Sequence, residues 1–567
     1  MDNPQTLNNL GLKYYSLGNY PEAIRRFSHA LSLDPDFAPA HNNLGTMYLN
    51  LGRYLPARDE FLNAIKLNPN IAEAHVNLAA IYKITKRYPD SEKHFLAALK
   101  INPQYAKALS SLGTLYHDQG KLTQAKDYYQ KALKINPRDQ QTQSFLYGLK
   151  REICDWDNLD TPSADTPFTN IVRCEDPKIN FQVAKSWSDK IEKRQSFQKP
   201  AFVFKKAALT HPLRIGYVSN GFCDFPTGHN LVGVLENHSP RVQAFAFSYG
   251  PDDHSLYRKR IIKACRKFID ITQASHVQAS QMIYDQNIDI LVDLKGYTAD
   301  NRIEIFTLRP APIQVSYLGF PGTTGAGFMD YLIADKTVIP ASARKYYSEK
   351  VIYLPDCYRA TDNKAPISTQ KFTPPRKDGI VFGSFNLPYK ITPQVFTSWM
   401  NILKRVPNSI LWQLHASASA NKNLRAWAKK LGINPSRIIF TKNLPKPQHL
   451  ARMKMANLML DTHPVGGHTT TVDALWAGVP VITILGRHFA SRVSASALSA
   501  IGLPKLITHS LKEYEDLAVR LATHPDELEI RNSKLKINKK SYPLFDTPGF
   551  TKHLEKVYFQ IWREYAK

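Results

Sequence analysis

Between residues 1 and 139 the apolar positions recur every 34 residues. Leu10, Leu44, Leu78 and Leu112 are in phase, as are Tyr14, Tyr48, Tyr82 and Tyr116. Large aromatics follow at Phe27, Phe61, Phe95 and Tyr129, then small residues at Ala30, Ala64, Ala98 and Ala132. Pro35, Pro69, Pro103 and Pro137 close each unit. The pattern predicts two antiparallel helices per unit. Small residues let the pair approach, aromatics fill the gap, and proline stops the second helix. Residues 140–212 read differently, as a helical connector and linker. Pro162, Pro167 and Pro177 break its early part, a helical pattern resumes over 180–193, and 199–212 reads as linker.

From residue 213 the rhythm becomes short, continuous apolar runs separated by helical segments. Runs at 213–219, 242–249, 288–294, 313–318 and 331–334 predict buried strands. A loop-rich passage near 340–378 precedes a second series at 379–384, 410–414, 437–441, 458–461 and 479–484. Such runs between helices indicate parallel sheets covered on both faces. The expected fold is therefore an α-helical array over 1–139 followed by two Rossmann-like halves, 213–378 and 379–567, facing a cleft. A final helix over 551–566 is placed to pack back across the first half. Ligands of such sheets sit at the carboxyl ends of the strands.

The 34-residue unit resembles the tetratricopeptide repeat in four copies. Stacks of this kind form a groove that suits an extended polypeptide. Asn9, Asn43 and Asn77 recur in phase, with Ser111 in the fourth copy. Asparagine amides can clamp a peptide backbone without reading its sequence; a solvated polar helix face is the other reading.

Charge adds one constraint. The first 139 residues carry 17 Lys and Arg against 12 Asp and Glu, the remainder 57 against 36. This surplus favours anionic partners, but no helix-turn-helix, RNA-recognition or zinc-finger signature accompanies it, so nucleic-acid binding is not expected. Cys154, Cys174, Cys223, Cys265 and Cys357 are scattered and form no CxxC pair, which supports neither a disulfide framework nor a zinc site. No apolar stretch approaches the roughly 20 residues of a membrane span, and the first residues lack the pattern of a signal peptide. The expected setting is the cytoplasm.

The chemistry concentrates at residues 462–480. A strand ending at Asp461 is followed by Pro464-Val465-Gly466-Gly467-His468-Thr469-Thr470-Thr471-Val472-Asp473. The glycines permit close backbone approach, and the threonines open a helix whose free N–H groups and dipole suit a diphosphate. Asp473, one turn inside, is placed to accept bonds from ribose hydroxyls. Ordinary N-capping by threonine is the bland alternative.

Several long segments resemble the O-linked N-acetylglucosamine transferase and SPINDLY family, inverting glycosyltransferases of the GT-B fold that follow tetratricopeptide repeats. They are Asp293-Leu294-Lys295-Gly296-Tyr297-Thr298, Arg309-Pro310-Ala311-Pro312-Ile313-Gln314-Val315, Tyr317-Leu318-Gly319-Phe320-Pro321-Gly322-Thr323, Asn401-Ile402-Leu403-Lys404-Arg405-Val406-Pro407-Asn408-Ser409 and residues 467–480. The resemblance begins near Cys154-Asp155-Trp156 and runs to the C-terminus.

It implies that Lys390, in Phe385-Asn386-Leu387-Pro388-Tyr389-Lys390, is a catalytic group holding the departing diphosphate. His468, Thr469 and Thr470 correspond to phosphate contacts, and Asp473 to a ribose contact. Lys446, His449 and Arg452 correspond to residues around ribose and uracil, with the histidine stacking on the base and the arginine bonding its edge. The family needs no metal, and no cofactor is implied beyond the UDP-sugar substrate. The implied reaction moves a sugar, N-acetylglucosamine from UDP-N-acetylglucosamine, onto a protein hydroxyl with inversion. Asp289 falls where some members carry histidine and would at most line the site.

Two positions depart from the family pattern. The loop Gly221-Phe222-Cys223-Asp224-Phe225-Pro226-Thr227-Gly228-His229 keeps the second histidine, His229, which the resemblance makes a catalytic residue with Lys390, but has Phe225 where a first is expected at the reaction centre. Phenylalanine neither takes nor donates a proton. Leu387 replaces an amide residue. These departures leave open another donor, such as GDP-fucose or UDP-glucose, and a catalytically weak nucleotide-binding scaffold.

Overall fold

The computed structural model describes residues 3–159, 166–195, 202–204 and 211–567. Pro162 and most of the expected linker 199–212 lie outside the described residues.

The 34-residue period becomes eight helices packed in pairs, from Pro4–Ser16 to Leu122–Ile135. Phe27, Phe61, Phe95 and Tyr129 are all fully buried between paired helices. They fit because the first helix of three pairs offers glycine. A Cβ on Gly11, Gly45 or Gly113 would lie 2.5, 2.8 or 2.7 Å from the ring of Phe27, Phe61 or Tyr129. The in-phase asparagines partly bond sideways within the array. Asn43 Nδ2 donates to Asn8 Oδ1 (2.8 Å) and Asn77 Nδ2 to Thr46 Oγ1 (3.3 Å). A ninth helix, Gln140–Glu152, continues the stack past residue 139, and the Ser110 and Thr142 hydroxyls meet there at 2.6 Å.

The chain then enters the core of the second α/β unit rather than the first. Trp156 wedges between Phe396 and Trp427, at ring separations of 5.5 and 5.4 Å. Arg151, on the ninth helix, donates from Nη2 to the carbonyl of Tyr389 at 2.7 Å. The helix Pro177–Gln195 lies against the first unit, where Gly325 takes a positive φ of 65° beneath the backbone of Lys185.

The first unit is a seven-stranded parallel sheet. Its strands are β1 (Leu213–Ser219), β2 (Val242–Ser248), β3 (Lys267–Asp270), β4 (Ile290–Asp293), β5 (Ile313–Ser316), β6 (Tyr331–Ala334) and β7 (Lys350–Tyr353). Their order is β3-β2-β1-β4-β5-β6-β7. The second unit holds β8 (Val381–Ser384), β9 (Ile410–Leu414), β10 (Ile438–Thr441), β11 (Leu458–Leu460), β12 (Val481–Ile484) and β13 (Ile507–Thr508), in the order β10-β9-β8-β11-β12-β13. The passage expected to join the two halves therefore contains an edge strand, β7. Strand order reverses beside β1 and beside β8, so a crevice opens at the carboxyl ends of β1/β4 and β8/β11.

The C-terminal helix Thr547–Ala566 leaves the second unit and packs on the first. Its Tyr558 hydroxyl meets that of Tyr217 at 3.2 Å, and Glu555 accepts from the Ser239 backbone and hydroxyl at 2.7 and 2.8 Å. Among the described residues no helix is long and apolar enough to cross a membrane.

Candidate functional site

β11 delivers Asp461 into the crevice, and this buried carboxylate shapes the loop behind the helix start. It accepts from the backbone N–H groups of Gly467 (2.5 Å) and Thr462 (2.9 Å), the Thr483 hydroxyl (2.7 Å) and the Asn386 amide (3.3 Å). The glycines are required by this proximity. A Cβ on Gly466 would stand 2.8 Å from Asp461, and one on Gly467 would stand 2.6 Å from Thr471 Oγ1.

The helix Thr469–Ala477 then begins, with His468 as an N-cap that makes no side-chain capping bond. Its first N–H groups are left to face a ligand. Thr471 is turned inward to Ser494 (2.8 Å), whereas His468, Thr469 and Thr470 remain half-buried along the crevice.

Two cations flank this helix start. Lys390, in the turn Pro388–Lys390 after β8, donates to the Gly466 carbonyl at 2.9 Å. Burial, with Arg359 nearby, lowers its ammonium from the ordinary lysine value to about 8. Arg359 comes from the segment after β7 and crosses between the units to donate from Nη2 to Thr469 Oγ1 at 2.6 Å. Its guanidinium is buried, and its Nε–H has no partner among the described residues. Burial and these cations hold His468 well below the ordinary imidazole value, so the ring is neutral near pH 7. Two positive groups beside an uncapped helix N-terminus suit a dianionic diphosphate.

Farther along, Lys446 pairs with Asp473 at 2.7 Å, holding the carboxylate one turn inside the helix. His449 stands edge-on to Phe385, with ring centres 5.3 Å apart, and burial pushes its pKa down to about 4. Its neutral Nδ1 accepts from Arg452 Nη2 at 2.7 Å. Arg452 is turned inward: Nη1 donates to the Lys442 carbonyl (2.5 Å) and the Thr441 hydroxyl (3.1 Å). These bonds orient His449 and the end of β10, while the Arg452 Nε–H has no partner among the described residues.

On the opposite wall, the loop after β1 leads into the helix Pro226–Glu236. His229 Nε2 lies 2.6 Å from Asp224 Oδ1, and burial followed by the charge of Lys446 lowers its imidazole. Phe225 caps the same helix and is 46% exposed, and Leu387 is 50% exposed at the end of the loop after β8. Lys295, following β4, carries its ammonium 5.6 Å from the centre of the Phe225 ring. Asp289 is elsewhere. It accepts the Arg214 N–H at 2.7 Å, at the amino end of β4, on the sheet edge remote from the crevice. Its supposed place lining the site is corrected accordingly: the residue ties two strands together.

Sequence reasoning missed Asp461, Arg359 and Lys295 as site residues. A carboxylate closing an apolar strand six residues before Gly467 was a usable signal for Asp461. Arg359 lies in a stretch without periodicity, and only the folded chain brings it to Thr469.

The fold and site define a repeat-bearing protein with two parallel-sheet units around a crevice that suits an anionic ligand. Residues 178–371 and 361–554 match glycosyl transferase family 41, and 11–52, 38–71 and 70–138 match tetratricopeptide repeats. The chain belongs to glycosyl transferase family 41. It is 37% identical over 432 residues to the probable UDP-N-acetylglucosamine–peptide N-acetylglucosaminyltransferase SEC of Arabidopsis thaliana, covering 73% of this chain and 44% of that protein. It is 33% identical over 367 residues to the probable enzyme SPINDLY of Petunia hybrida, covering 62% and 39%. The chain thus spans less than half the length of these relatives. A solved mutant of the Thermobaculum terrenum O-GlcNAc transferase shares the fold, with a TM-score of 0.69 at 24% identity over 93% of this chain and 98% of that one.

Proposed function

We propose that the chain transfers N-acetylglucosamine from UDP-N-acetylglucosamine to a hydroxyl of a polypeptide, with inversion and without a metal ion. The observation that carries this reading is the uncapped helix start at His468–Thr470 flanked by Lys390 and Arg359. Membership of family 41 supports glycosyl transfer as its use. In this reading the N–H groups of Thr469 and Thr470, with neutral His468, hold the diphosphate. Lys390 neutralises the charge that grows on the leaving oxygen as the glycosidic bond breaks. Asp473, fixed by Lys446, accepts the ribose hydroxyls, and His449 stacks on the base. His229 lines the acceptor side, and the repeat groove presents the polypeptide. Five unpaired cysteines suit a reducing compartment, the cytoplasm.

Calorimetric titration with UDP, GDP and their sugars tests the donor. UDP is expected to bind and GDP is not; binding of GDP alone would overturn the assignment. In the same assay Arg359→Met should weaken UDP about tenfold, the worth of a lost charge-assisted bond. An unchanged affinity would mean that Arg359 serves Thr469 only. A second reading, a nucleotide-binding scaffold without turnover, draws on Phe225 in place of a histidine. Labelled donor incubated with cell extract separates the two, since the scaffold would label nothing.

A further inference from the structure

Phe225 stands where the family resemblance implies a histidine and cannot transfer a proton, and the same wall holds a titratable side chain with no assigned work. Lys295 follows β4, the strand beside β1, so its loop and the Phe225 loop emerge together at the carboxyl edge of the sheet. The side chain is buried, with 6% of its surface exposed. Its ammonium makes no hydrogen bond or ion pair among the described residues; it stands 5.6 Å from the centre of the half-exposed Phe225 ring and within the influence of the Asp300 and Asp293 carboxylates. The adjacent carboxylate, Asp293, is occupied in accepting the backbone N–H groups of Lys295 (2.9 Å) and Gly296 (2.8 Å). Most of the side chain is buried while its amine has no polar protein partner, which leaves the nitrogen open to a ligand that completes it.

Resting on the transferase reading above, we infer that Lys295 is the proton acceptor of the transfer step, in the place left by the histidine that Phe225 displaces. The acceptor oxygen bonds to the anomeric carbon. The bond from that carbon to the diphosphate oxygen breaks and its electron pair leaves with UDP. The acceptor's proton passes to the neutral Nζ of Lys295, which becomes ammonium. The surroundings favour the neutral form: burial lowers the lysine from its ordinary value, against the pull of Asp300, Asp293 and the Cys223 thiol. The Phe225 ring face favours the charged form and so helps to receive the proton.

The test uses the full chain and follows UDP release from UDP-N-acetylglucosamine, with and without serine- and threonine-rich peptides, across pH 6–10. UDP affinity is measured on every variant as the check on folding. Lys295→Met is expected to lower turnover at saturating donor by about 10²-fold or more, the usual worth of a general base, with UDP affinity unchanged. It should also abolish the rise of rate with pH. Lys295→Arg, which keeps a cation but cannot take a proton, should be equally slow. Adding Phe225→His to Lys295→Met should recover at least about tenfold, with the rise now centred near the ordinary imidazole value of about 6.5. Turnover of Lys295→Met within twofold of the parent would overturn the inference, as would full activity in Lys295→Arg. If the parent itself binds UDP but releases none from the donor at any pH, the transferase reading fails and this inference fails with it.

Discussion

Exchanging Lys390 for methionine is expected to cut turnover by roughly 10²–10³-fold while leaving the chain folded, because in the proposed reaction its charge acts on the departing diphosphate. The pH dependence carries the sign. The folded ammonium sits at about 8, below the value of about 10.4 for an unfolded lysine. Between those values the unfolded chain binds more protons, so the stability of the ligand-free protein rises with pH across that window. Below about 8 the charged amine burdens the fold in full. Lys390→Met should therefore melt at a higher temperature than the parent at pH 7 without ligand, with the gap closing toward pH 10. Saturating UDP should reverse the order, since only the parent gains a counter-ion. Affinity for the donor should weaken as pH climbs through about 8 and the cation of the free protein is lost, while the rate at saturating donor, where the diphosphate holds the proton on Lys390, still rises. Unchanged turnover in the variant, or a melting temperature lowered at every pH, would reassign Lys390 to holding the Gly466 carbonyl.

Asp461→Ala has the larger expected effect on structure. Removing the carboxylate strands two backbone N–H groups, a hydroxyl and an amide in a buried site. Breaking such a charged network costs about 3–5 kcal/mol. The loop that aims the helix start should then lose its shape, and UDP binding should disappear even at temperatures where circular dichroism still reports native helix. Asp461→Asn keeps an accepting oxygen for Gly467 and should lose less. Equal stability of the alanine variant and the parent in urea unfolding would refute this account.

How much of this was legible in the sequence depended on how continuously each element was buried. The central strands, such as β1 and β4, are buried on both faces and read as apolar runs. The strands β3, β7 and β13 at the sheet edges were not foreseen. β3 is half-exposed along its length and β13 is only two residues long, so neither leaves a run of periodicity. The repeat array was readable because aromatics such as Phe61 need a small residue opposite in every copy. The glycine turn and helix start at Gly466–Asp473 were readable because their parts are consecutive in the chain. Arg359 and Lys295 were not, since their meaning comes from neighbours more than 60 residues away. Asp289 shows the converse. Its residue type suited a ligand, and the fold spends it on tying two strands together.

The bond from Arg151 to the Tyr389 carbonyl has a geometric consequence. The last helix of the array is fastened one residue away from Lys390, so in the proposed function the helical stack is a measuring rod with its zero mark at that lysine. A polypeptide gripped by a given repeat would present its hydroxyls at a set number of residues from that repeat. Repeats added before residue 4 would lengthen the scale without moving the zero. A repeat inserted between the helices Leu122–Ile135 and Gln140–Glu152 would shift every graduation by one unit, changing which hydroxyls are modified and leaving the chemistry of the site untouched.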